Sequence, residues 1–565
     1  MISRFTFPTA LVRAFRSAVI LLLALLIFAS AAFATADAAP SEQLLTDATE
    51  EPSATPTEAP AVAPAATDAV IEPTTPHARQ GRLPNVMEQV RKAEAARQAE
   101  ASSGPTAAPG APNIVLVYTD DMALTDMESL PIVQRLLGEG GTTFDNSFVT
   151  TPLCCPSRAS LLRGQYVHNH EVFGHLGDYN GWNKFNGEGN EDSTLATWLD
   201  GAGYDTVMVG KYLNGYNAPQ VPPGWDVWRG LVGPSTWRQL SIDGDLATFE
   251  KNPIWWDDMM YDLAGEYVTS RTQDAPPLFM WLSLNSPHAP TVPADRHVGA
   301  FDGESMPIRP NFNEPGVADK PEWIQKRRRH GPARVAHFEE RWRQRQEMML
   351  GVEDRLEQLM ALLESRGELE NTYVIFTSDN GYHLGEHRLG KGKMNPYEED
   401  IRVPMLVAGP DVPAGARLEH FVLNIDLAPT IADLAGVTPP DFVDGRSFAP
   451  LLTAQGQAEI AASAWRQRFM VENYKNIIPG PNGTYRWYPA PGNYGVRNQR
   501  YLFNRYTNGD FELYDLHRDP YQLWNAIDSA PFRLRRNVSQ QWRALRRCAG
   551  ATCHAAEGGM VPSAP

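Results

Sequence analysis

The chain has 565 residues, of which 42% are hydrophobic, and its formal net charge at pH 7 is −17. A chain of this length can bury a large core, and we expect one large α/β domain followed by a smaller one. The negative charge argues against a nucleic-acid-binding protein, so an anionic ligand would need a local cluster of basic side chains.

Residues 1–36 have the three-part pattern of a secretory signal. Arginines precede an apolar run over 18–28, and small residues ending at Ala36 follow it. We expect cleavage after Ala36 and a secreted protein, either extracellular or periplasmic. An uncleaved membrane anchor is the alternative, because the apolar run approaches membrane-spanning length.

Residues 37–111 are rich in Ala, Pro, Thr and Glu, and they predict a linker. A charged patch at 84–101 could form a helix, but the segment lacks the apolar periodicity that would offset the entropy cost of ordering it. After the linker we expect the α/β domain at 112–455, an α+β subdomain at 456–553 and a tail at 554–565.

The run 113–118 is short and continuously apolar, as expected for a strand that is buried on both faces. Asp120 and Asp121 follow it directly. Two neighbouring carboxylates are costly unless a cation neutralises them, and their hard oxygens suit Ca²⁺ or Mg²⁺. A solvated Asp-Asp turn is the alternative for this pair taken alone.

A nucleophile site is predicted at 153–164, where Cys154, Cys155, Pro156 and Arg158 lie close together. Pro156 suits the first position of a helix, so both thiols would stand at a helix N-terminus, whose unpaired N–H groups favour an anion. Such a position lowers the pKa of a thiol and makes it a better nucleophile. Two structural cysteines, in a disulfide or simply buried, are the alternative.

Two basic residues follow predicted strands further along the chain. A helix over 194–199 leads to a strand over 204–209 and then to Lys211, and a strand over 278–284 leads to His288 on a proline-rich loop. Taken singly, such a lysine is usually solvated and such a histidine is usually structural.

A further strand, 373–377, ends in Asp379 and Asn380. Ligands of doubly wound sheets bind beyond the carboxyl ends of the strands, so these side chains could share one cation with the earlier aspartate pair. The alternating elements predict an α/β fold with a doubly wound mixed sheet flanked by helices.

The C-terminal part alternates like antiparallel strands at 496–506 and 511–516, which predicts a smaller antiparallel sheet. Cys548 and Cys553 enclose a short loop with a central glycine, and we expect a disulfide between them in an exported protein. A metal site is less favoured because no second pair of ligands accompanies them.

The wording C-x-P-S-R from Cys154 to Arg158 resembles the signature of the sulfatase family, in the alkaline-phosphatase-like superfamily. The resemblance extends from residue 112 to residue 553. It implies that a formylglycine-generating enzyme oxidises Cys154 to formylglycine, whose hydrated aldehyde carries the attacking hydroxyl. It also implies one Ca²⁺, which would be held by oxygens of Asp120, Asp121, Asp379, Asn380 and the modified Cys154.

The resemblance also implies roles for basic residues. Arg158 would orient the nucleophile, and Lys211, His288 and Lys393 would bind the sulfate, with His288 or Lys393 protonating the leaving oxygen. Lys393 matches the family because it precedes a Tyr-Glu pair by four residues, and Lys391 is its rival.

One departure from the family lies at Leu213, where many arylsulfatases have a histidine. Asn214, His168 or His383 could supply the missing hydrogen bond. The wording K-Y-L-N from Lys211, together with C-C-P-S-R and Y-V-H-N-H, resembles glucosamine-6-sulfatases and extracellular heparan endosulfatases.

We therefore expect calcium-dependent hydrolysis of a sulfate ester on a sugar such as a glucosamine 6-sulfate. The alternatives are a broad-specificity arylsulfatase, a phosphoester or phosphonate monoester hydrolase, and a sulfoglycan-binding protein without activity. The expected partners are a sulfated carbohydrate and the formylglycine-generating enzyme, with no nucleic acid, and a membrane only if the N-terminal segment stays as an anchor. The basic run 326–345 could hold a sulfated polymer or form a solvated helix face.

Overall fold

The computed structural model describes residues 83–100, 106–175, 180–233, 239–248, 255–475, 477–479, 485–487 and 490–559. The predicted signal and its cleavage site, most of the predicted linker and the end of the tail lie outside these ranges. No helix within the ranges is both long and apolar enough to cross a membrane.

The strands are numbered in chain order, and their bounds are β1 (Asn113–Asp120), β2 (Thr142–Phe148), β3 (Asp205–Gly210), β4 (Val227–Val232), β5 (Gln239–Ile242), β6 (Asp245–Thr248), β7 (Leu278–Pro287), β8 (Thr372–Ser378), β9 (His383–Leu384), β10 (Lys391–Gly392), β11 (Met405–Ala408), β12 (Ala416–Leu423), β13 (Arg468–Asn473), β14 (Ile477–Pro479), β15 (Tyr485–Trp487), β16 (Asn493–Asn498), β17 (Tyr501–Tyr506) and β18 (Phe511–Asp515).

The helices are α1 (Leu83–Glu100), α2 (Pro131–Val133), α3 (Cys154–Arg163), α4 (Val167–His170), α5 (Gly181–Gly187), α6 (Leu195–Asp200), α7 (Trp256–Ser270), α8 (Glu322–Gln325), α9 (Pro332–Ser365), α10 (Glu398–Ile401), α11 (Leu427–Leu434), α12 (Ala454–Glu459), α13 (Phe532–Leu545) and α14 (Ala551–Glu557). Short 3₁₀ turns lie at Leu124–Ser129, Asn190–Asp192, Leu369–Asn371, Asn424–Asp426 and Ala449–Leu452, and a π-helical turn lies at Gln134–Glu139.

A ten-stranded sheet forms the centre of the described residues, in the order β12-β2-β11-β8-β1-β7-β3-β4-β5-β6. The inner strands β8, β1, β7, β3 and β4 are parallel. Strand β11 is antiparallel to β2 and β8, and β5 and β6 add an antiparallel edge. The predicted mixed α/β sheet is therefore confirmed.

Strand β1 shows why the sheet is covered on both faces. Its side chains alternate: Leu116 and Tyr118 join one buried cluster, and Val115 and Val117 join another. Helices α3, α6 and α11 pack into the first cluster, and α7 and α9 pack into the second. The parallel strands thus lie inside two helical layers, and their carboxyl ends share one rim.

Part of the segment expected to be an unfolded linker is instead helix α1. Val86 and Val90, four residues apart, are buried against α7 and β5. Glu94 is buried on the same side and pairs with Arg229 at 3.7 Å. The partly buried Met87 and Ala93 pack into the same cluster, so the charged patch at 84–101 that could form a helix does form one.

A second sheet, β13-β16-β17-β18, is antiparallel throughout, as the alternation at 496–506 and 511–516 predicted. Cys548 and Cys553 form the predicted disulfide. The carboxylate of Glu512 on β18 accepts hydrogen bonds from the hydroxyls of Tyr397, Tyr506 and Tyr514 at 2.7–2.8 Å. Because Tyr397 follows the loop of Lys393, this buried network joins the smaller sheet to the rim of the larger one.

Candidate active site

The aspartates predicted at two strand ends meet at one point. Strands β1 and β8 are parallel neighbours, and Thr119 is in register with Ser378. The backbone N–H of Asp121 donates to Oδ1 of Asp379 at 3.1 Å, and Nδ2 of Asn380 donates to Oδ1 of Asp121 at 2.7 Å. The backbone of Asp121 is left-handed, with φ of 65°, which turns the chain at the strand end.

This cluster has the chemistry of a hard-cation site. Asp120, Asp121, Asp379 and Asn380 are buried, and Oδ1 of Asn380 has no hydrogen-bond partner among the described residues. A buried carbonyl oxygen without a partner is costly unless a cation or a water binds it. Carboxylate and amide oxygens suit Ca²⁺ or Mg²⁺ better than zinc, so the residues fit the calcium that the sequence predicted.

Cys154 is the first residue of α3, and its thiol faces the aspartates. The Sγ atom lies 3.2 Å from Oδ1 of Asp120 and is also in contact with Nζ of Lys393. The helix begins two residues before Pro156, which therefore occupies the third position, where a backbone N–H would still have no helical partner. Both predicted cysteines are free thiols, so the alternative of a disulfide between them is excluded.

The predicted acidification of the thiol is wrong for this arrangement. Burial raises the pKa of Cys154 well above its ordinary value, and the negative charges of Asp120 and Asp379 add to that effect. The positive charges of Lys211 and Lys393 act in the opposite direction but are outweighed. The thiol is therefore protonated, and Cys154 is not poised as a thiolate nucleophile.

Arg158 connects four elements around the nucleophile. Its Nε donates to Oδ2 of Asp379 at 2.8 Å, and its Nη1 donates to the Lys211 carbonyl at 2.7 Å and to Oγ of Ser283 at 2.6 Å. The guanidinium also lies over the ring of Tyr118. One fully buried side chain thus holds α3 against the ends of β3, β7 and β8.

Three of the predicted cationic residues surround the acidic cluster. Nζ of Lys211 contacts Oδ2 of Asp120, Nζ of Lys393 contacts Oδ1 of Asp121, and Nε2 of His288 lies 3.8 Å from Oδ2 of Asp121. Burial raises the pKa of Asp120, but Lys211, His288 and other cations outweigh it and hold that pKa well below its usual range. The rival Lys391 is exposed on β10, so Lys393 is the lysine that reaches the thiol.

His168 and His383, proposed as replacements for the missing histidine, have structural partners elsewhere. His168 donates from Nδ1 to Glu472 at 2.6 Å and from Nε2 to the Cys548 carbonyl at 3.0 Å, where the two sheets meet. Nδ1 of His383 bonds Oδ1 of Asp400 at 2.7 Å. The assignment of His168 is corrected on this ground, because both of its ring nitrogens are already used.

A histidine that sequence reasoning missed, His175, lies at the site instead. Its Nε2 is buried and has no hydrogen-bond partner in the described part of the chain. Burial lowers its pKa well below the ordinary value, and the charges of Lys393, Lys211 and His288 lower it further. No pattern in the sequence distinguished this histidine from His168.

The backbone explains how His175 reaches the site. The Gly174 carbonyl accepts from the Gly181 N–H at 2.9 Å, and the Asn214 carbonyl accepts from the Trp182 N–H at 2.8 Å. Gly181 has φ of 66°, and a Cβ there would lie 2.2 Å from the His175 carbonyl. The histidine therefore lies beside the turn at Asn214, whose Oδ1 is also buried and has no hydrogen-bond partner among the residues that the structure describes.

Comparisons with known proteins agree with this site. The sulfatase family model matches residues 112–437, and the model for the C-terminal part of N-sulphoglucosamine sulphohydrolase matches 385–547. The N-acetylglucosamine-6-sulfatase of Capra hircus is 33% identical over 484 residues, which make up 78% of this chain and 84% of that protein.

Longer relatives match over part of their length. An extracellular sulfatase SULF-1 homolog of Drosophila melanogaster is 36% identical over 377 residues, or 64% of this chain. The chain spans 33% of that protein and 52% of the putative extracellular sulfatase Sulf-1 homolog of Caenorhabditis elegans.

Solved structures share the fold. A protein in complex with its substrate D-glucosamine-2-N,6-O-disulfate has a TM-score of 0.64 at 23% identity, covering 76% of this chain and 97% of its own. A phosphonate monoester hydrolase from Silicibacter pomeroyi has a TM-score of 0.59 at 19% identity, covering 77% and 94%. At these identities the similarity establishes the architecture and leaves the substrate open.

Proposed function

Because the chain belongs to the sulfatase family, we propose that it hydrolyses sulfate esters with a formylglycine made from Cys154 and a bound calcium ion. The observation that carries the proposal is the position of Cys154. Its Sγ lies 3.2 Å from the buried carboxylate of Asp120, with Lys211 and Lys393 beside it. A protonated cysteine is a poor nucleophile in this setting, which favours a site that acts through a modified side chain.

Calcium and the formylglycine made from Cys154 would supply positive charge and a nucleophile. Asp120, Asp121, Asp379 and Asn380 would hold the calcium, which withdraws charge from sulfate, and the hydrated formylglycine would supply the attacking hydroxyl. Arg158 holds the first turn of α3 in place through Asp379 and the Lys211 carbonyl. Its Nη2 has no partner among the described residues and is free to donate to the modified side chain.

The cationic side chains would bind the sulfate oxygens. Lys211 and Lys393 each contact one aspartate, and in a preformed site their charge stabilises the negative charge that grows on the reacting group. The Nδ1–H of His288 donates to the Ala289 carbonyl, which leaves Nε2 directed toward the aspartates. His288 or Lys393 would therefore protonate the leaving oxygen.

We further propose a sulfated sugar as the substrate, with glucosamine 6-sulfate as the best candidate. Relatives named N-acetylglucosamine-6-sulfatase support it, and so do two polar groups at the rim that have no partner in the described part of the chain, Nε2 of His175 and Oδ1 of Asn214. Buried polar groups without partners discriminate against a ligand that cannot hydrogen-bond to them. Secretion and maturation by a formylglycine-generating enzyme belong to the same proposal.

The test begins with the enzyme produced together with the maturation enzyme. Mass spectrometry should find the Cys154 peptide lighter by the exchange of H₂S for oxygen, with Cys155 unchanged. Cys154→Ala should abolish sulfate release, whereas the neighbouring control Cys155→Ala should retain most of it. Full activity with unmodified Cys154 would refute the proposal.

Substrate class is tested on the same preparation. Rates on glucosamine 6-sulfate, an aryl sulfate and a phosphonate monoester should favour the sugar by on the order of a hundredfold in kcat/KM. A phosphonate monoester as the best substrate would assign the protein to the alternative activity. An aryl sulfate as the best substrate would remove the sugar assignment alone.

A further inference from the structure

Helix α13 is a basic element on an acidic protein. The stretch 529–556 contains six arginines and no aspartate or glutamate, although the whole chain carries a net charge of −17. This stretch lies outside the basic run at 326–345. None of the roles proposed above uses it.

The arginines lie on one face of the helix. Val538 and Leu545 are buried against the smaller sheet. At 3.6 residues per turn, the four arginines within α13 fall within an arc of roughly 160° on the other side, and Arg546 and Arg547 follow its last residue, Leu545. We call this surface the arginine face, and it consists of Arg533, Arg535, Arg536, Arg543, Arg546 and Arg547.

Most of the arginine face is solvent-exposed and unpaired. Five of the six arginines are exposed, and no ion pair involves them within the described ranges. The exception is Arg546, which is half-buried and lies 3.5 Å from Glu472. Like charges three residues apart in a helix, such as Arg533 and Arg536, destabilise it. The face therefore opposes helix stability, which favours a role in binding an external anion.

The helix also leads toward the catalytic rim. Val538 packs with Phe503 and Leu513 on the outer strands β17 and β18, whereas Leu545 packs with Phe469 on β13. Strand β13 contacts the larger domain close to the nucleophile helix, since the Glu472 N–H donates to the carbonyl of Thr150, four residues before Cys154, at 2.8 Å. The C-terminal end of the arginine face is thus the end nearer the active site.

Two contacts link that end to the reacting groups. The guanidinium of Arg546 lies over the rings of Tyr474 and Tyr494. Asn473, next to Tyr474, donates to the carbonyl of Met394, the residue after Lys393. A polymer bound along α13 would therefore extend toward the lysine that contacts Cys154.

We propose that the arginine face is a docking site for a sulfated polysaccharide, which holds a polymeric substrate while one sulfate reaches the active site. The proposal rests on the proposed function for the identity of that polymer. Guanidinium groups match sulfate and carboxylate in fork geometry and keep their charge at any working pH. A helix of 14 residues is about 21 Å long, enough to contact several sugar units in a row.

The experiment compares two variants of the full chain with equal loss of charge. The test variant replaces four exposed members of the face by glutamine: Arg533, Arg536, Arg543 and Arg547. The control variant replaces four exposed basic residues that each pair with a carboxylate: Arg91, Lys92, Arg135 and Arg417.

The test variant should elute from immobilised heparin at clearly lower salt than the control variant. Its KM for a heparin oligosaccharide should rise about tenfold, because each lost contact weakens a polyelectrolyte interaction. Its kcat/KM for monomeric glucosamine 6-sulfate should match that of the wild type. Equal elution and equal KM for the two variants would overturn the docking site.

The outcomes separate this proposal from the proposed function. Retention on heparin does not depend on turnover. If the protein hydrolyses no sulfate ester, the proposed function is refuted, but its elution from heparin still tests whether the arginine face binds a sulfated polysaccharide. Vesicles rich in phosphatidylserine serve as a second probe. Binding to these vesicles without retention on heparin would show that the arginine face binds a membrane, and it would overturn the proposed polysaccharide docking site.

Discussion

Arg158 donates from Nε to Oδ2 of Asp379 at 2.8 Å, and both side chains are completely buried. A lysine ammonium cannot reproduce the planar guanidinium, which also donates to the Lys211 carbonyl and to Ser283. Arg158→Lys therefore leaves the buried carboxylate of Asp379 poorly paired. We expect the free energy of unfolding to fall by about 3 kcal/mol and sulfate release to fall by at least a hundredfold. Urea denaturation and initial rates measure the two effects.

The control for this substitution is Arg417→Lys, at an exposed ion pair with Asp145. Surface substitutions of this kind change stability by no more than about 0.5 kcal/mol. An Arg158→Lys enzyme as stable and active as this control would show that the buried pair has no role in positioning the nucleophile.

The second prediction concerns the metal. Calcium should raise the Tm of the wild type, because it neutralises the buried carboxylates, and exhaustive chelation should abolish activity. Asn380→Leu removes the unpaired Oδ1 and should weaken calcium binding by about tenfold or more. Thermal denaturation at graded calcium concentrations, with elemental analysis, measures both effects.

Asn371→Leu is the matched control, because this asparagine lies at the other end of β8 and its side-chain amide donates to the Ala111 carbonyl, away from the aspartates. It should respond to calcium like the wild type. Zinc in the elemental analysis, or a chelated enzyme that keeps its full rate, would contradict the metal assignment.

The third prediction separates His175 from His168. His175→Ala removes a buried nitrogen that has no partner, so the free energy of unfolding should hardly change. If Nε2 of His175 binds the substrate, kcat/KM for the sulfated sugar should fall on the order of 10- to 100-fold. Unchanged kinetics of this variant on the sugar would remove His175 from the site.

His168→Gln should have the opposite profile. It breaks the bonds to Glu472 and to the Cys548 carbonyl, so stability should fall while kcat/KM changes little. Paired denaturation curves and rate measurements on the two variants make this comparison direct.

The fourth prediction is a pH dependence of stability at His168. Burial lowers the pKa of His168, but the negative charge of Glu472 outweighs it, and the pKa is raised above the ordinary value. The charged histidine therefore stabilises the fold below the unfolded pKa of about 6.5, and this contribution is lost as pH rises through the folded pKa. The stability difference between the wild type and His168→Gln should shrink between about pH 6 and pH 9.

Urea denaturation of the two proteins at a series of pH values measures that difference. A difference that grows with pH would show that the histidine is neutral in the folded protein. Comparing the two proteins cancels groups that titrate in the same range without interacting with His168, such as Asp257, whose pKa burial raises to about 6.

Sequence patterns predicted the parts of the site that follow from strand ends. Asp120 and Asp379 each follow an apolar run, and parallel neighbours must deliver both to the same rim. The predicted strands at 204–209 and 278–284 agree with the ends of β3 and β7, from which Lys211 and His288 extend. Local periodicity was sufficient there because a parallel sheet brings the carboxyl ends of its strands to one rim.

The features that could not be predicted depend on contacts between distant segments. His175 reaches the site through a loop that bonds Gly181 and lies beside Asn214, and no local pattern encodes such a path. The raised pKa of Cys154 depends first on burial and then on Asp120 and Asp379, neither of which is near it in sequence. Local helix chemistry alone predicted the wrong direction for that shift.

The hydrogen bonds of Glu512 with Tyr397, Tyr506 and Tyr514 constrain how such a protein can diverge. A recombination that exchanged the C-terminal sheet for another would leave the Tyr397 hydroxyl without its acceptor, or a foreign carboxylate without its donor. Either outcome buries an unpaired polar group next to the loop of Lys393, at a cost of about 1–3 kcal/mol. We therefore expect positions 397 and 512 to change together, and the smaller sheet to be inherited with the loop of Lys393 rather than exchanged as an independent module.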